Sequence, residues 1–353
     1  MQRLYSLEVL RFMAAACIFF GHYVHFYMYF NMPENAGIFY KINPSWGGLA
    51  VPLFFMMSGA IFTHNYLNQI VVGGLKFWTY VRRRWARLYP LHVVTLILVA
   101  CLQLFMLNLT GKFFIYEMND IYHFVLNLFF ASNWGLEKGN SFNGPVWSVS
   151  HEVLLYLLFF LACVMVRYFK SIYLVYLFFI SILAIGISQT NHFVLKSAFL
   201  FFFGGLEYLI IQKIYLVNPS RKIKLFLFLC LFLSLYLLRN FFKNKGAPYG
   251  FYEPLILALC LILDHEFRIR EESFIAKFAV FFGGISYSTY LLHFPIQIAL
   301  VIFSLKIFQI DFSENTSLST YLFLVFACSI YSYFKFEKPL QVYLLSDGKK
   351  WKK

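Results

Sequence analysis

The sequence predicts an all-α, polytopic integral membrane protein of about ten transmembrane helices, and three observations carry that prediction. Of its 353 residues, 61% are hydrophobic, 22% aromatic and only 13% charged, whereas a soluble domain averages about 25% charged residues. Apolar runs approaching the ~20 residues that cross a bilayer core recur along the whole chain. No polar stretch between them is long enough for a large extramembrane domain, which excludes a soluble globular protein and a disordered one alike.

The first run, 8–31, follows a basic start and also has the look of a signal peptide. It carries Glu8, Arg11, His22 and His25 and lacks a small-residue cleavage signature, so a retained first span is expected. Further spans are expected at 47–64, 88–108, 147–168, 172–188, 197–216, 225–239, 251–264, 280–304 and 317–336, the seventh and eighth being the shortest. Cytoplasmic loops hold an excess of Lys and Arg. An inside N-terminus places Arg3, Lys76–Arg87, Arg167 and Lys170, Lys213–Lys224, Arg268–Lys277 and Lys335–Lys353 in cytoplasmic segments and only Lys41, Lys112, Lys138, Lys196, Arg239, Lys243, Lys245 and Lys306 outside, with Arg11 inside the first span. Both termini are therefore expected in the cytoplasm.

The longest loop is 109–146. Its middle, Ile121–Phe130 with Asn127, reads as a short amphipathic helix on the outer surface or re-entering, and the Gly-, Asn- and Ser-rich stretch from Ser132 to Trp147 reads as irregular. Irregular backbone beside a bilayer persists only where protein or a water-filled cavity covers it. No internal repeat is visible, and one integral domain over 1–353 is the simplest partition, with a helical core of about 6–340 and a short basic tail at 341–353. The net charge of +14, from 30 Lys and Arg against 16 Asp and Glu, is accounted for by topology rather than by nucleic acid, and the expected location is multi-pass in the inner, cytoplasmic membrane. Cys17, Cys101, Cys163, Cys230, Cys260 and Cys328 all sit in apolar runs, and no metal-ligand spacing is present.

An ionisable side chain inside a span costs about 2.5–3.5 kcal/mol on insertion scales and needs a partner or a function. That filter selects Glu8, Arg11, His22, His25, His151, Glu152, Glu207, His293 and Glu337. Arg11 and His22 are eleven residues apart, about three helical turns, and Glu8 and Arg11 are three apart, within pairing distance on a helix. Arg84 and Arg87 are also three apart; they fit either a positive-inside stop signal or a clamp for a phosphorylated ligand. In the segment Asn143 to Glu152 a turn leads into a helix whose first turns hold Trp147, Ser148, Ser150, His151 and Glu152. The serines suit capping, whereas Glu152, followed by a long apolar run, could orient a histidine such as His22 as an acid orients a catalytic base.

In order and spacing these segments resemble the membrane-bound acyltransferase family 3, whose members O-acylate bacterial polysaccharides and glycolipids. Ser6-Leu7-Glu8-Val9-Leu10-Arg11 through Gly21-His22 is similar to the family's Arg-x10-His opening helix, with Glu8 where Asp is common. Arg84-Trp85-Ala86-Arg87 is similar to its Arg-x-x-Arg segment, and Trp147-Ser148-Val149-Ser150-His151-Glu152, followed by Tyr156, to its Trp-Ser-x-Ser-x-Glu helix start. Gly284 to Pro295, with His293, and Phe336-Glu337-Lys338-Pro339 are similar to its late helices. Two departures stand out: Val153 takes the place of a frequent second acid, and no hydrolase-like domain follows the last span.

The resemblance implies transfer of an acyl group, most often acetyl, from cytoplasmic acetyl-CoA as co-substrate to a sugar hydroxyl of a surface polysaccharide or lipid-linked glycan. No bound cofactor and no metal are implied. His22 and Glu152 would be catalytic, and Arg11, Arg84 and Arg87 would meet the donor's phosphates. Glu8, His25, Trp147, Ser148, Ser150, Tyr156 and His293 would support the site or hold the acceptor. The implied partners are acyl-CoA, the glycan acceptor, the bilayer and a glycan-assembly machinery. Two competing readings are a glycolipid transporter or flippase, which would more often show inverted repeats, and a structural assembly subunit.

Overall fold

The computed structural model describes residues 3–33, 37, 39, 47–190, 192–243, 252–267 and 269–346. Lys41, Lys245, Arg268 and the tail residues Lys349, Lys350, Lys352 and Lys353, which entered the topology argument, lie outside the described residues. Among those described there are helices and no strands. The helices are α1 (Tyr5–Gly21), α2 (Val24–Phe30), α3 (Gly47–Val71), α4 (Phe77–Thr110), α5 (Ile121–Leu128), α6 (Trp147–Phe169), α7 (Ile172–Thr190), α8 (Phe193–Val217), α9 (Arg221–Lys243), α10 (Tyr252–Glu266), α11 (Phe274–Lys306), α12 (Asn315–Ser332) and α13 (Lys338–Leu345). Every predicted apolar run lies mainly within a helix. Seven helical segments among the described residues are long and apolar enough to cross a membrane: Tyr5–Phe30, Phe77–Thr110, Gly144–Phe169, Ile172–Thr190, Phe193–Val217, Phe274–Lys306 and Asn315–Leu345.

The chain divides into two compact units. The first comprises Met1–Ala14, Gly48–Leu75 and Leu154–Gly283. Here α3 and α8 meet backbone to backbone, because Gly59 and Gly204 carry no side chain. A Cβ on Gly59 would sit 1.8 Å from the Phe201 carbonyl oxygen, and one on Gly204 would sit 2.2 Å from that of Met56. Small residues are what allow such approach between helices in a bilayer. Around this contact Thr63 hydrogen-bonds Tyr176 (2.7 Å) and Phe62 stacks on Tyr156 (4.5 Å between ring centroids).

The start of α1 is held in the same unit. The first N–H groups of a helix have no partner inside it, and the Asp264 carboxylate, from α10, accepts the Ser6 N–H at 2.9 Å. A carboxylate distant in sequence thus does the work of a helix cap and opposes the positive end of the helix dipole. Asp264→Ala is expected to destabilise the protein by about 1 kcal/mol, the usual cost of losing a cap. The check is a thermal melt in detergent, and a melting temperature equal to wild type would show that this bond does no work.

The second unit comprises Ala15–Gly47, Lys76–Val153 and Gly284–Lys353. Its core is aromatic, built on Phe19, Tyr23, Phe26, Phe114, Phe294 and Tyr321. Buried hydroxyls are satisfied by backbone carbonyls: Tyr321 donates to Phe19 (2.9 Å) and Tyr23 to Phe312 (2.9 Å).

α4 starts at Phe77, more than two turns before the predicted span at 88–108, and runs through Pro90. At about 1.5 Å per residue its 34 residues reach roughly 51 Å, well beyond a hydrocarbon core of about 30 Å. The basic run is therefore helical rather than a flanking segment. Within it Arg82 donates to the Leu344 carbonyl at 2.6 Å, where α13 ends.

The middle of the long loop is helical over Ile121–Leu128, two residues short of the expected Phe130. α5 is capped by Asp120, whose carboxylate accepts both the backbone N–H of His123 (2.8 Å) and its ring N–H (2.8 Å). These bonds hold the Asp120 carboxyl below its ordinary pKa. Asn127 is buried, donating to the His123 carbonyl and to Ser141 while its own carbonyl accepts from His92. The segment after Phe129 is irregular until a 3-10 turn at Gly144–Val146 starts α6.

Candidate active site

α1 ends at Gly21, and α2 does not begin until Val24. His22 and Tyr23 lie in the break, where the bonding tightens to the 3-10 pattern: His25 N–H reaches the His22 carbonyl (3.0 Å) and Phe26 N–H reaches that of Tyr23 (3.1 Å). The predicted single helix over 8–31 is thus two, and the glycine before His22 is the signal for it. The His22 carbonyl also accepts Gln297 Nε2 at 2.6 Å.

The half-buried His22 ring sits between two other histidines. It stacks on His25 (4.9 Å between centroids) and on His293 (5.0 Å), and its Nδ1 lies 2.8 Å from His293 Nε2. His293 is fully buried, with Nδ1 2.7 Å from the Tyr290 carbonyl. His25 is buried as well, with Nδ1 2.9 Å from Gln297 Oε1.

Tyr290 links this cluster to the start of α6. Its single hydroxyl proton goes to the Pro145 carbonyl (2.6 Å), which makes Ser148 the donor in the 2.7 Å bond between the two hydroxyls. Asn143 donates to the Leu291 carbonyl at 3.0 Å, anchoring the turn before α6 to α11. Ser150 and His151 face the irregular loop: Ser150 Oγ accepts from Asn133 N–H (3.3 Å), its carbonyl accepts from Trp134 (3.0 Å), and His151 Nε2 donates to Asn133. Trp147 packs edge-on against the His151 ring.

Glu152 does not meet His22. The rings beside His22 are those of His25 and His293, and His293 is its side-chain hydrogen-bond partner among the described residues, whereas the half-buried Tyr287 donates to the Leu88 carbonyl at 2.8 Å. The expected pairing of Glu152 with His22 is not found among the described residues; the side chain hydrogen-bonded to His22 is His293, on α11. Glu337 ends a π-helical turn, Tyr333–Glu337, and accepts from Ser288 at 2.7 Å. Single π-turns of this kind are frequent at functional sites.

Other predicted residues belong to the first unit. Arg11 pairs with Glu8 and donates to the Gly283 carbonyl (2.7 Å), and Glu8 also accepts from Arg3. Tyr156 is buried against Phe62. Glu207 is 3% exposed, and its carboxylate has no hydrogen-bond partner among the described residues. Arg84 and Arg87 lie one turn apart on α4 in the second unit, as their spacing requires.

Within the second unit, His22, His25, Asn143 and Ser148 each hydrogen-bond a residue of α11, and comparison with known proteins decides the family. A family profile described as "Acyltransferase domain" matches residues 4–334, nearly the whole chain. The chain belongs to acyltransferase family 3. Like the family resemblance, the apolar helices mark it as a multi-pass membrane protein. It is 32% identical over 163 residues to Acyltransferase MdmB of Streptomyces mycarofaciens, a match covering 44% of this chain and 38% of that protein. It is also 37% identical over 71 residues to Protein 2 in picA locus of Rhizobium radiobacter, covering 20% of this chain and 37% of that one. The chain therefore matches less than two-fifths of the length of either relative. No solved structure matches this family member.

Two residues that hydrogen-bond the histidine cluster, Tyr290 and Gln297, were not singled out from the sequence. They flank His293 at spacings of three and four, which puts all three on one face of α11. That spacing was the available signal.

Proposed function

We propose that this protein is an O-acyltransferase that moves an acetyl group from cytoplasmic acetyl-CoA to a sugar hydroxyl of a surface polysaccharide or its lipid-linked precursor. In this reading it spans the inner membrane ten times as one integral domain, with both termini cytoplasmic. The distribution of Lys and Arg supports that orientation. The observation that carries the chemical assignment is the His22 ring, half-buried at a helix break and hydrogen-bonded to His293 through Nδ1.

The chemistry asks little more of the protein than this. The acceptor hydroxyl attacks the thioester carbonyl while His22 takes its proton, and an ester forms as the carbon–sulfur bond breaks. The imidazolium returns the proton to the departing thiolate, so CoA leaves as the thiol and the ring is restored. Arg84 and Arg87 supply guanidinium forks for the donor's phosphates. Arg11 shares its guanidinium with Glu8 and Gly283, so its part in donor binding is the smaller. Glu152 and Trp147 are assigned to the acceptor in this reading.

Replacing Arg84 and Arg87 together by Ala should raise KM for acetyl-CoA tenfold or more, since a hydrogen bond to a charged group contributes about 1.5–3 kcal/mol. The effect on acceptor KM should be smaller. Equal changes in both, or in neither, would remove the donor assignment. The whole reading is tested by incubating membranes that contain the protein with radiolabelled acetyl-CoA and following label into glycan; label that stays in the donor while the protein is present and folded would overturn it.

A further inference from the structure

We propose that His293 is a positioning residue that fixes His22 in the one neutral tautomer able to act as a base; the inference rests on the assignment of His22 above. The argument follows the protons along a chain of three groups. The Tyr290 carbonyl can only accept, so the ring nitrogen 2.7 Å from it, His293 Nδ1, carries a hydrogen. The hydrogen-bond partners of the His293 ring among the described residues are the Tyr290 carbonyl and the His22 ring, and neither is a carboxylate. A buried charge without such a partner is expensive, and the ring is therefore neutral. A neutral imidazole with its hydrogen on Nδ1 presents a bare lone pair at Nε2.

His293 Nε2 lies 2.8 Å from His22 Nδ1. As Nε2 must accept, His22 Nδ1 must donate. His22 then holds its own hydrogen on Nδ1 and keeps Nε2 as the lone-pair nitrogen, for which no hydrogen-bond partner exists among the described residues. The other tautomer would put a hydrogen where the acceptor's proton has to go and would set two lone pairs against each other across 2.8 Å.

Gln297 supports the same arrangement from the next turn of α11. Its amide nitrogen donates to the His22 carbonyl (2.6 Å), which orients its oxygen toward His25 Nδ1 (2.9 Å). His25 thus also keeps its hydrogen on Nδ1 and stacks on His22 as a neutral ring. An orienting partner is commonly a carboxylate. Here a neutral histidine, itself oriented by a backbone carbonyl, does the same work without burying a charge in the membrane.

The test uses full-length protein in membranes, radiolabelled acetyl-CoA and the endogenous acceptor, and compares His22→Ala, His293→Leu and His293→Gln. Glutamine places its amide oxygen near the position of Nε2 and can accept from His22; leucine cannot. His293→Leu should lower kcat about 10²- to 10⁴-fold, the range seen when a catalytic histidine is held in the wrong tautomer or lacks its base function. Its KM for acetyl-CoA should stay within about threefold of wild type, and His293→Gln should retain activity within about tenfold of wild type. If the leucine variant does not insert, His293→Asn replaces it, because its shorter amide reaches only the Nδ1 position and should also lose activity. Full activity in His293→Leu alongside an inactive His22→Ala overturns the positioning role and leaves the base assignment standing. Equal losses in His293→Leu and His293→Gln also overturn it, since a merely structural residue would behave so. An active His22→Ala overturns the base assignment itself.

Discussion

Replacing His22 by Ala is expected to lower acyl transfer by about 10²- to 10⁴-fold, the contribution of a positioned general base, while leaving the protein inserted. The loss should fall on kcat. The ring is not needed to bind the donor, and its neighbours His25 and His293 are already engaged, with Gln297 and with the Tyr290 carbonyl. Neither can replace it without giving up a buried hydrogen bond. The measurement is the initial rate of label transfer from acetyl-CoA at saturating donor, with protein amount read from a blot of the same membranes. A rate within about threefold of wild type would leave the site without its base.

The second large effect is structural. Gly59→Ala places a methyl group 1.8 Å from the Phe201 carbonyl oxygen, and both partners are backbone, so no side-chain rotation relieves the clash. The helices α3 and α8 must separate, and the loss should reach or exceed the top of the ~1–3 kcal/mol range typical of overpacking. The expected result is a sharp fall in the yield of monodisperse protein on size-exclusion chromatography in detergent. Gly48→Ala is the control, because a Cβ there meets nothing within 4 Å. Equal yields from Gly59→Ala and wild type would mean that α3 and α8 do not meet as described.

Much of this architecture was legible because the bilayer enforces it. Apolar length alone located the helices, and the cost of burying charge picked out Glu8, Arg11, His22, His25, His293 and Glu337, each of which has a hydrogen-bond or ion-pair partner. What the filter missed was uncharged. Tyr290 and Gln297 carry polar groups that cost little to bury once bonded, so nothing marked them except their spacing around His293. The break at His22 was hidden because hydropathy does not register a change from α-helical to 3-10 bonding. The extension of α4 back to Phe77 was hidden for a related reason: a helix that leaves the membrane stops being apolar without stopping being a helix. The expected pairing of Glu152 with His22 failed because helix α11 supplies the partner, and order along a sequence does not reveal which helix stands next to which.

The most direct test of the central claim is the ester-linked acetyl content of the surface glycan, measured by NMR on material from cells that lack the gene and from the same cells complemented with wild type or with His22→Ala. The account predicts that acetyl signals vanish on deletion, return with wild type and stay absent with His22→Ala despite normal insertion of the variant. Acetyl signals restored by His22→Ala, or unchanged by deletion of the gene, would contradict it.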